Sequence, residues 1–214
     1  MSRGIGFRIY NNIQRPPQEL VEKFRGLPSS NIADNMGRLY CIGRQIKPLN
    51  KVPLLGVAFT VKAPQGDNLM FHRALELAQP GDIIVVDGEG DLEHSLAGEM
   101  MIRTAMKRGL GGFVVDGCMR DYDAISELEF PIYARGITPQ GPYKNGPGEI
   151  NVPICCGGQV VMPGDILVGD MDGIVVIRPE DALELAELSI RKFNAEQQKI
   201  REDRFGNSKK YEEI

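Results

Sequence analysis

Three charged residues are spaced so that they could do chemistry together. Glu99 comes first, and after twenty intervening residues comes the adjacent pair Arg120-Asp121. Arginine offers a planar fork of donors that matches a carboxylate. Aspartate offers a hard oxygen to a divalent cation, directly or through water. Glutamate can carry protons to and from a reacting group. The stretch that joins them, GEMMIRTAMKRGLGGFVVDGCMRD, opens like a helix, turns at glycines and becomes a short apolar strand. The first amides of such a helix, from Gly98 through Glu99 and Met100 to Met101, have no acceptor within it. They carry partial positive charge and make a seat for a carboxylate or phosphate. Gly98 lets a ligand approach the backbone. A plainer interpretation stands beside this one. Arg-Asp pairs close many strands as solvated turns of small energetic weight, and an acid in a first helical turn is favourable for the dipole alone.

These residues share a site only if the elements around them converge. LLGVAFTVKAP (54–64) alternates apolar residues between two prolines and predicts a strand. NLMFHRALELAQPGD spaces Leu69, Ala74, Leu75 and Ala78 as a helix that stops at Pro80-Gly81. IIVVDGEG (83–90) is continuously apolar at its start, as a strand buried on both faces is. Residues 95–108 follow as a helix with Ala97, Met101 and Ala105 on one stripe, and GGFVVDG is the next strand. Residues 54–117 therefore read β-α-β-α-β, with connections long enough for parallel, right-handed crossovers. In such a sheet ligands gather at the carboxyl ends of the strands. Here those ends are expected at Asp87-Gly88-Glu89-Gly90 and Asp116-Gly117-Cys118, with Arg120 and Asp121 just beyond.

The flanks are simpler. Residues 16–26 predict a short helix behind a double proline, and Ser29 or Ser30 can cap a second one that stops at Gly37. Beyond Pro131, FPIYARGITP is a strand and a turn, and GPYKNGPGEINVP is a loop. QVVMPGDILVGDMDGIVVIRPED is then three short β runs in a meander. Residues 179–203 form a long amphipathic helix, acidic at its start and basic later, which suits the dipole. The polar tail at 206–214 is expected to be held only by a partner subunit.

Bulk properties narrow the class. The chain has 214 residues and a net charge of −4, which argues against a nucleic-acid partner. No apolar run approaches the roughly 18–20 residues of a membrane span, and the N-terminus lacks the apolar core of a signal peptide. A cytoplasmic protein is the expectation. Cys41 and Cys118 are isolated and Cys155-Cys156 adjacent, so the four thiols are read as buried or incidental rather than as metal ligands.

Taken jointly, APQGDNLMFHRALELAQPGDIIVVDGEGD, GEMM…GLGGFVVDGCMRD, ARGITPQG, INVPICCGG and MPGDILVGDMDGIVVI carry a specific resemblance across most of residues 30–200. The chain resembles the class II pyruvate aldolases typified by 4-hydroxy-4-methyl-2-oxoglutarate aldolase and 4-carboxy-4-hydroxy-2-oxoadipate aldolase. That family also contains the regulator of ribonuclease E activity and members labelled demethylmenaquinone methyltransferase-like. Its pattern is an acidic residue, twenty residues, then Arg-Asp. Several members carry Asp where this chain has Glu99.

The resemblance implies a swivelling β/β/α domain: an α/β fold with a central parallel or mixed sheet, a second β layer formed by the meander, and a long C-terminal helix. It implies one domain over residues 1–205, with its core at 30–178, assembled as homotrimers or homohexamers. It implies that Arg120 binds the 2-oxo-acid end of a substrate and that the amides of Gly98, Glu99, Met100 and Met101 seat its carboxylate. Asp121 would hold Mg²⁺ or Mn²⁺ largely through waters, Asn68 would lie near the site, and Glu196 would reach a neighbouring subunit's site. The reaction implied is cleavage of a 4-hydroxy-2-oxo acid to pyruvate and a second 2-oxo acid. Arg120 and the cation would stabilise the enolate, and Glu99 would poise a water to take the C4 hydroxyl proton. Oxaloacetate decarboxylation uses the same enolate.

Three rivals are weighed against this reading. Lys62 could form a Schiff base, although a strand-end lysine normally keeps its head in solvent. A non-enzymatic ribonuclease-regulator-like protein is the second, and the complete Arg-Asp pair speaks against it. A methyltransferase is the third, resting on VVDGEG alone, which is a weak glycine motif.

Overall fold

The computed structural model describes residues 4–206. Its elements in chain order are α1 (Gln18–Glu22), α2 (Ser29–Asn35), β1 (Lys47–Pro48), β2 (Leu54–Lys62), α3 (Leu69–Leu77), β3 (Asp82–Ala97), α4 (Glu99–Lys107), β4 (Gly112–Met119), α5 (Tyr122–Ile125) and β5 (Ile132–Ile137). There follow β6 (Glu149–Ile150), β7 (Ile154–Cys156), β8 (Gln159–Val161), β9 (Ile166–Gly169), β10 (Ile174–Ile177) and α6 (Ala182–Gly206).

One mixed sheet runs in the order β1-β5-β4-β3-β2-β9-β10, with β6 beside β2, and β7 and β8 form a separate two-stranded sheet. The three central pairings, β2 with β3, β3 with β4 and β4 with β5, are parallel. The expected β-α-β-α-β unit is therefore present, and a third parallel step through α5 extends it.

Apolar side chains alternate between the two faces, as the pleat requires. On one face Phe59, Val61, Ile84, Val86, Phe113 and Val115 pack with Phe71 of α3 and Ile102 of α4. Phe113 sits edge-on between Phe71 and Phe130, at centroid distances of 4.9 and 5.1 Å. On the other face Ala58, Ile83, Val85 and Val114 meet Ile154, Cys156 and Val161 of the small sheet. A third cluster packs α1, α2 and the start of α6 over β9 and β10.

The structure corrects the sequence reading in four places. The meander does not form as one unit. β9 and β10 pair with each other and β9 joins β2, so they extend the main sheet, while β8 pairs with β7. The second β layer is thus the β7–β8 pair alone. Two strands of three residues each suffice there, because they cover the apolar residues of one sheet face. Second, Ser29 does not cap α2. It is the first helical residue, behind Pro28, and its amide and hydroxyl both bond the Asp170 carboxylate, at 2.8 and 2.7 Å.

Third, β3 does not stop at Gly90 but runs to Ala97, and α4 begins only after Gly98. The polar run between them is a bulged strand. Its register against β4 slips between Asp87 and Asp91, between Asp91 and Ser95, and between Ser95 and Ala97. Side chains organise these slips: Asp87 accepts from the Glu89 amide at 3.2 Å and Asp91 from the Glu93 amide at 2.8 Å. Such local side-chain bonds let a sequence that reads as a loop stay in the sheet.

Fourth, Asp87 and Asp116 are therefore not strand ends. They face each other inside the ladder, and both are buried. Asp116 is paired with Arg135 and accepts the Gly157 amide at 2.6 Å, so it anchors the small sheet.

The C-terminal helix is as long as expected, and Ala182, Leu185, Ala186 and Ser189 bury its first turns. Residues 207–214, most of the expected polar tail, lie outside the described residues. No helix among the described residues is long and apolar enough to cross a membrane. Truncation of the aromatic wedge, Phe113→Ala, should cost about 3–5 kcal/mol in denaturant unfolding. A loss below about 1 kcal/mol would show that the face between α3, α4 and the sheet is not a close-packed core.

Candidate functional site

The true carboxyl ends of β3 and β4 are Ala97 and Met119, which pair with each other. The Arg120 amide continues that ladder by donating to the Ala97 carbonyl at 3.0 Å. Gly98 and Arg120-Asp121 are thereby set side by side. Asp121 has φ 63° and ψ 39°, a left-handed conformation that aspartate tolerates better than most residues. This turn brings its carboxylate back over the start of α4, where Oδ2 accepts the Glu99 amide at 3.0 Å.

Gly98 makes that approach possible. Its backbone is extended (φ −150°), so the requirement for glycine is one of space rather than conformation. A Cβ there would collide with Asp121 Oδ2 and would lie 2.8 Å from Arg120 Cγ. The first turn of α4 is consequently closed more than its sequence implies. The Met101 and Ile102 amides bond the Gly98 carbonyl, at 3.1 and 3.2 Å. Of the four amides expected to seat an anion, only those of Gly98 and Met100 lack an acceptor among the described residues.

Beside this helix start lies a cleft of about 190 Å³ lined by Asn68, Gly98, Met100, Met101, Arg120 and Asp121. His72, Ser95, Pro142 and Lys144 complete much of the rim. Arg120 and Asp121 are 47% and 43% exposed and stand 3.8 Å apart at Nε and Oδ2. An ion pair that open contributes little to stability, so both charges are available to a ligand. Asn68 immediately precedes α3 and is 2% exposed; its Nδ2 donates to the Leu96 carbonyl at 2.8 Å. Its Oδ1 is a buried acceptor without a partner.

Other expected residues lie elsewhere. The Glu99 carboxylate is not part of the cleft lining; it accepts from Arg103 Nε at 2.6 Å, one turn along α4. Only its amide reaches Asp121. Glu196 accepts from Asn31 Nδ2 at 2.7 Å, between α6 and α2. Lys62 is exposed at the end of β2 and borders a different cleft, with Arg8, Glu89 and Glu149. The four cysteines are free thiols. Burial pushes Cys156 well above the usual thiol range, so it is unreactive.

His72 and Lys144 are cleft residues that the sequence reading missed. His72 lies four residues after Asn68, the residue that precedes α3, and so stands about one helical turn beyond it; that spacing was the available signal. Lys144 had none, because it sits in a glycine- and proline-rich loop. Buried Asp67 holds that loop, accepting the Asn145 and Gly146 amides at 2.6 and 2.9 Å, while the Asn68 amide bonds the Tyr143 carbonyl at 2.9 Å. Burial, and then the charge of Lys144, hold His72 below the usual imidazole range against the opposing pull of Glu76.

Among the described residues no three His, Cys, Asp or Glu side chains group as a metal cage. The donor set here is one carboxylate, Asp121, whose Oδ1 has no partner among the described residues. That fits a hard cation that keeps most of its waters, such as Mg²⁺ or Mn²⁺, and takes its remaining ligands from a bound oxoacid. It does not fit a closed zinc site.

The sequence and the fold place the chain in a known class. Residues 29–176 match the family described as RraA-like, Aldolase/RraA, and the chain belongs to that family. Over 160 residues it is 44% identical to a Halalkalibacterium halodurans protein that bears the name "Putative 4-hydroxy-4-methyl-2-oxoglutarate aldolase", covering 74% of this chain and 76% of that one. It is 37% identical over 160 residues to the uncharacterized protein MJ0644 of Methanocaldococcus jannaschii, covering 73% and 76%. Among solved structures, Streptomyces coelicolor RraAS2, described as an unusual member of the RNase ES inhibitor RraA protein family, superposes with a TM-score of 0.75. That match has 29% identity and covers 90% of this chain and 99% of that one. An uncharacterized Pseudomonas syringae protein shares the fold at a TM-score of 0.80 and 24% identity, over 91% and 96%.

The Gly98–Asp121 contact is directly testable. Gly98→Ala should cost about 1–3 kcal/mol through overpacking. Adding Asp121→Ala, which removes the colliding carboxylate, should recover part of that loss. Strict additivity in a double-mutant cycle of thermal melts would mean that the two residues do not touch.

Proposed function

We propose that this protein is a divalent-metal-dependent aldolase. It cleaves a 4-hydroxy-2-oxo acid of the 4-hydroxy-4-methyl-2-oxoglutarate kind to pyruvate and a second 2-oxo acid, and oxaloacetate decarboxylation is open to the same site. The observation that carries the reading is the convergence of Arg120, Asp121 and the free Gly98 and Met100 amides on one cleft. The aldolase name borne by the H. halodurans relative points the same way.

The chain's own groups divide the work by chemistry. The substrate's C1 carboxylate seats on the free amides at the start of α4, where the helix dipole favours negative charge. Arg120 directs its guanidinium at the 2-oxo group and stabilises the charge that develops there as the C3–C4 bond breaks. Asp121 would hold the cation, which when bound supplies Lewis-acid polarisation of the 2-oxo oxygen. Asp121 is kept in place by the Glu99 amide and by the space at Gly98. Lys62 takes no part, because it borders another cleft. Assembly as a homotrimer or homohexamer belongs to the same proposal, with Glu196 the residue that a neighbouring subunit's site would use.

A second reading is favoured by the likeness to RraAS2, a member of a family named for ribonuclease inhibition. Under it the protein binds a ribonuclease and turns nothing over. Pyruvate release from 4-hydroxy-2-oxo acids, with added Mg²⁺ or Mn²⁺, separates the two.

Arg120→Ala should lose about 2–5 kcal/mol of transition-state stabilisation. Asp121→Ala should lose activity and metal dependence together. Unchanged pyruvate release in either variant would refute these roles. EDTA should abolish turnover, while borohydride added with substrate should leave the enzyme active; inactivation by borohydride would instead indicate a lysine Schiff base.

A further inference from the structure

Cleavage of a 4-hydroxy-2-oxo acid needs a proton acceptor at the C4 hydroxyl. Glu99 is poorly placed for that task, since its carboxylate is engaged by Arg103 and does not line the cleft. Besides Arg120 and Asp121 the cleft lining carries two titratable side chains, His72 and Lys144, and an imidazole is the type that ordinarily changes charge near neutral pH. His72 lines the cleft together with Arg120 and Asp121. Its ring makes no hydrogen bond or ion pair among the described residues, unlike the ring of His94, which is bonded to Asp91 at 2.8 Å. The helix that carries it is fixed at its start: the Asn68 side chain bonds Leu96, and the His72 amide bonds the Asn68 carbonyl at 3.0 Å.

We propose that His72 is the proton acceptor for the substrate's 4-hydroxyl, an assignment that rests on the aldolase reading above. Arg120, Asp121 and the α4 amides take the pyruvoyl end. The substrate then extends across the cleft towards α3 and the loop carrying Lys144, and its C4 hydroxyl falls on the His72 side. The step balances without a further reagent. A lone pair on the imidazole takes the hydroxyl proton, and the O–H electrons become the second C–O bond at C4. The C3–C4 bond breaks, and its electrons enter the pyruvate enolate. The imidazolium returns the proton to C3, which yields pyruvate and the neutral ring.

The surroundings agree with this role. Burial and Lys144 favour the neutral imidazole, Glu76 on the same helix opposes them, and the remaining charged groups of the cleft are Arg120 and Asp121. A neutral ring near neutral pH is a competent base.

The test compares the parent protein with His72→Gln, which keeps a similar volume and a hydrogen-bonding tip. For a 4-hydroxy-2-oxo acid with Mg²⁺, kcat should fall by about 10²–10⁴-fold, the usual contribution of a general base, with KM little changed. Oxaloacetate has no hydroxyl proton to give up, and its enolate can take the C3 proton from water, so its decarboxylation should fall far less than aldol cleavage. Calorimetric affinity for oxalate, an enolate mimic, should be retained. A parallel fall in cleavage, decarboxylation and oxalate binding would mean that His72 only supports the fold. Undiminished cleavage in the variant would also overturn the assignment while leaving the aldolase reading intact. A parent protein that releases no pyruvate from any 4-hydroxy-2-oxo acid would overturn that reading and this proposal with it.

Discussion

The hydrogen bond from the Glu99 amide to the Asp121 carboxylate, 3.0 Å across the space that glycine leaves at position 98, is the contact on which the site depends. It ties the start of α4 to the turn after β4, two segments separated by a full crossover. It draws the Asp121 side chain over the start of α4, while the Asp121 carbonyl accepts the Ala124 and Ile125 amides of α5 at 3.1 and 3.0 Å. With it, one carboxylate, one guanidinium and two free amides face the same cleft. The parallel ladder delivers the partners: Ala97 pairs with Met119, and the Arg120 amide extends that pairing by one step.

The surrounding architecture holds this contact rigid. Alternating side chains on β2, β3 and β4 bury both faces of the central sheet, so the strand ends cannot shift independently. Polar groups inside the fold are spent on positioning. Asp116 with Arg135 anchors the small sheet, and Asp67 holds the loop that carries Lys144 above α3. Arg120 and Asp121 are more open than either, and Asp121 Oδ1 has no partner among the described residues.

Much of this was legible in the sequence. The β-α-β-α-β run from Leu54 onward reads directly from apolar spacing and glycine-proline stops, and the parallel pairing follows from the length of the connections. The proximity of Gly98 to Arg120-Asp121 was legible too, although by way of wrong strand ends. The bulged half of β3 was not, because DGEGDLEHS has the composition of a loop, yet its turns are organised by bonds to the Asp87 and Asp91 side chains and its pairing with β4 resumes at Asp91, Ser95 and Ala97. The pairing of β8 with β7 was hidden for a different reason: three consecutive short strands give no local signal of which sheet each will join. His72 could have been found from its spacing after Asn68, whereas Lys144 reaches the cleft through tertiary contacts that no local pattern encodes. Glu99 shows the reverse case, a residue whose position in the pattern is right and whose backbone amide, rather than its side chain, touches Asp121.

The central claim is that a divalent cation and a 2-oxo acid meet at Asp121 and Arg120. Electron paramagnetic resonance of Mn²⁺ with ¹⁷O-labelled oxalate tests it most directly. The parent protein should bind Mn²⁺ and show line broadening from the labelled oxygens, and Asp121→Asn should lose both. Broadening that survives unchanged in Asp121→Asn, or Mn²⁺ binding with no broadening in the parent, would contradict the account.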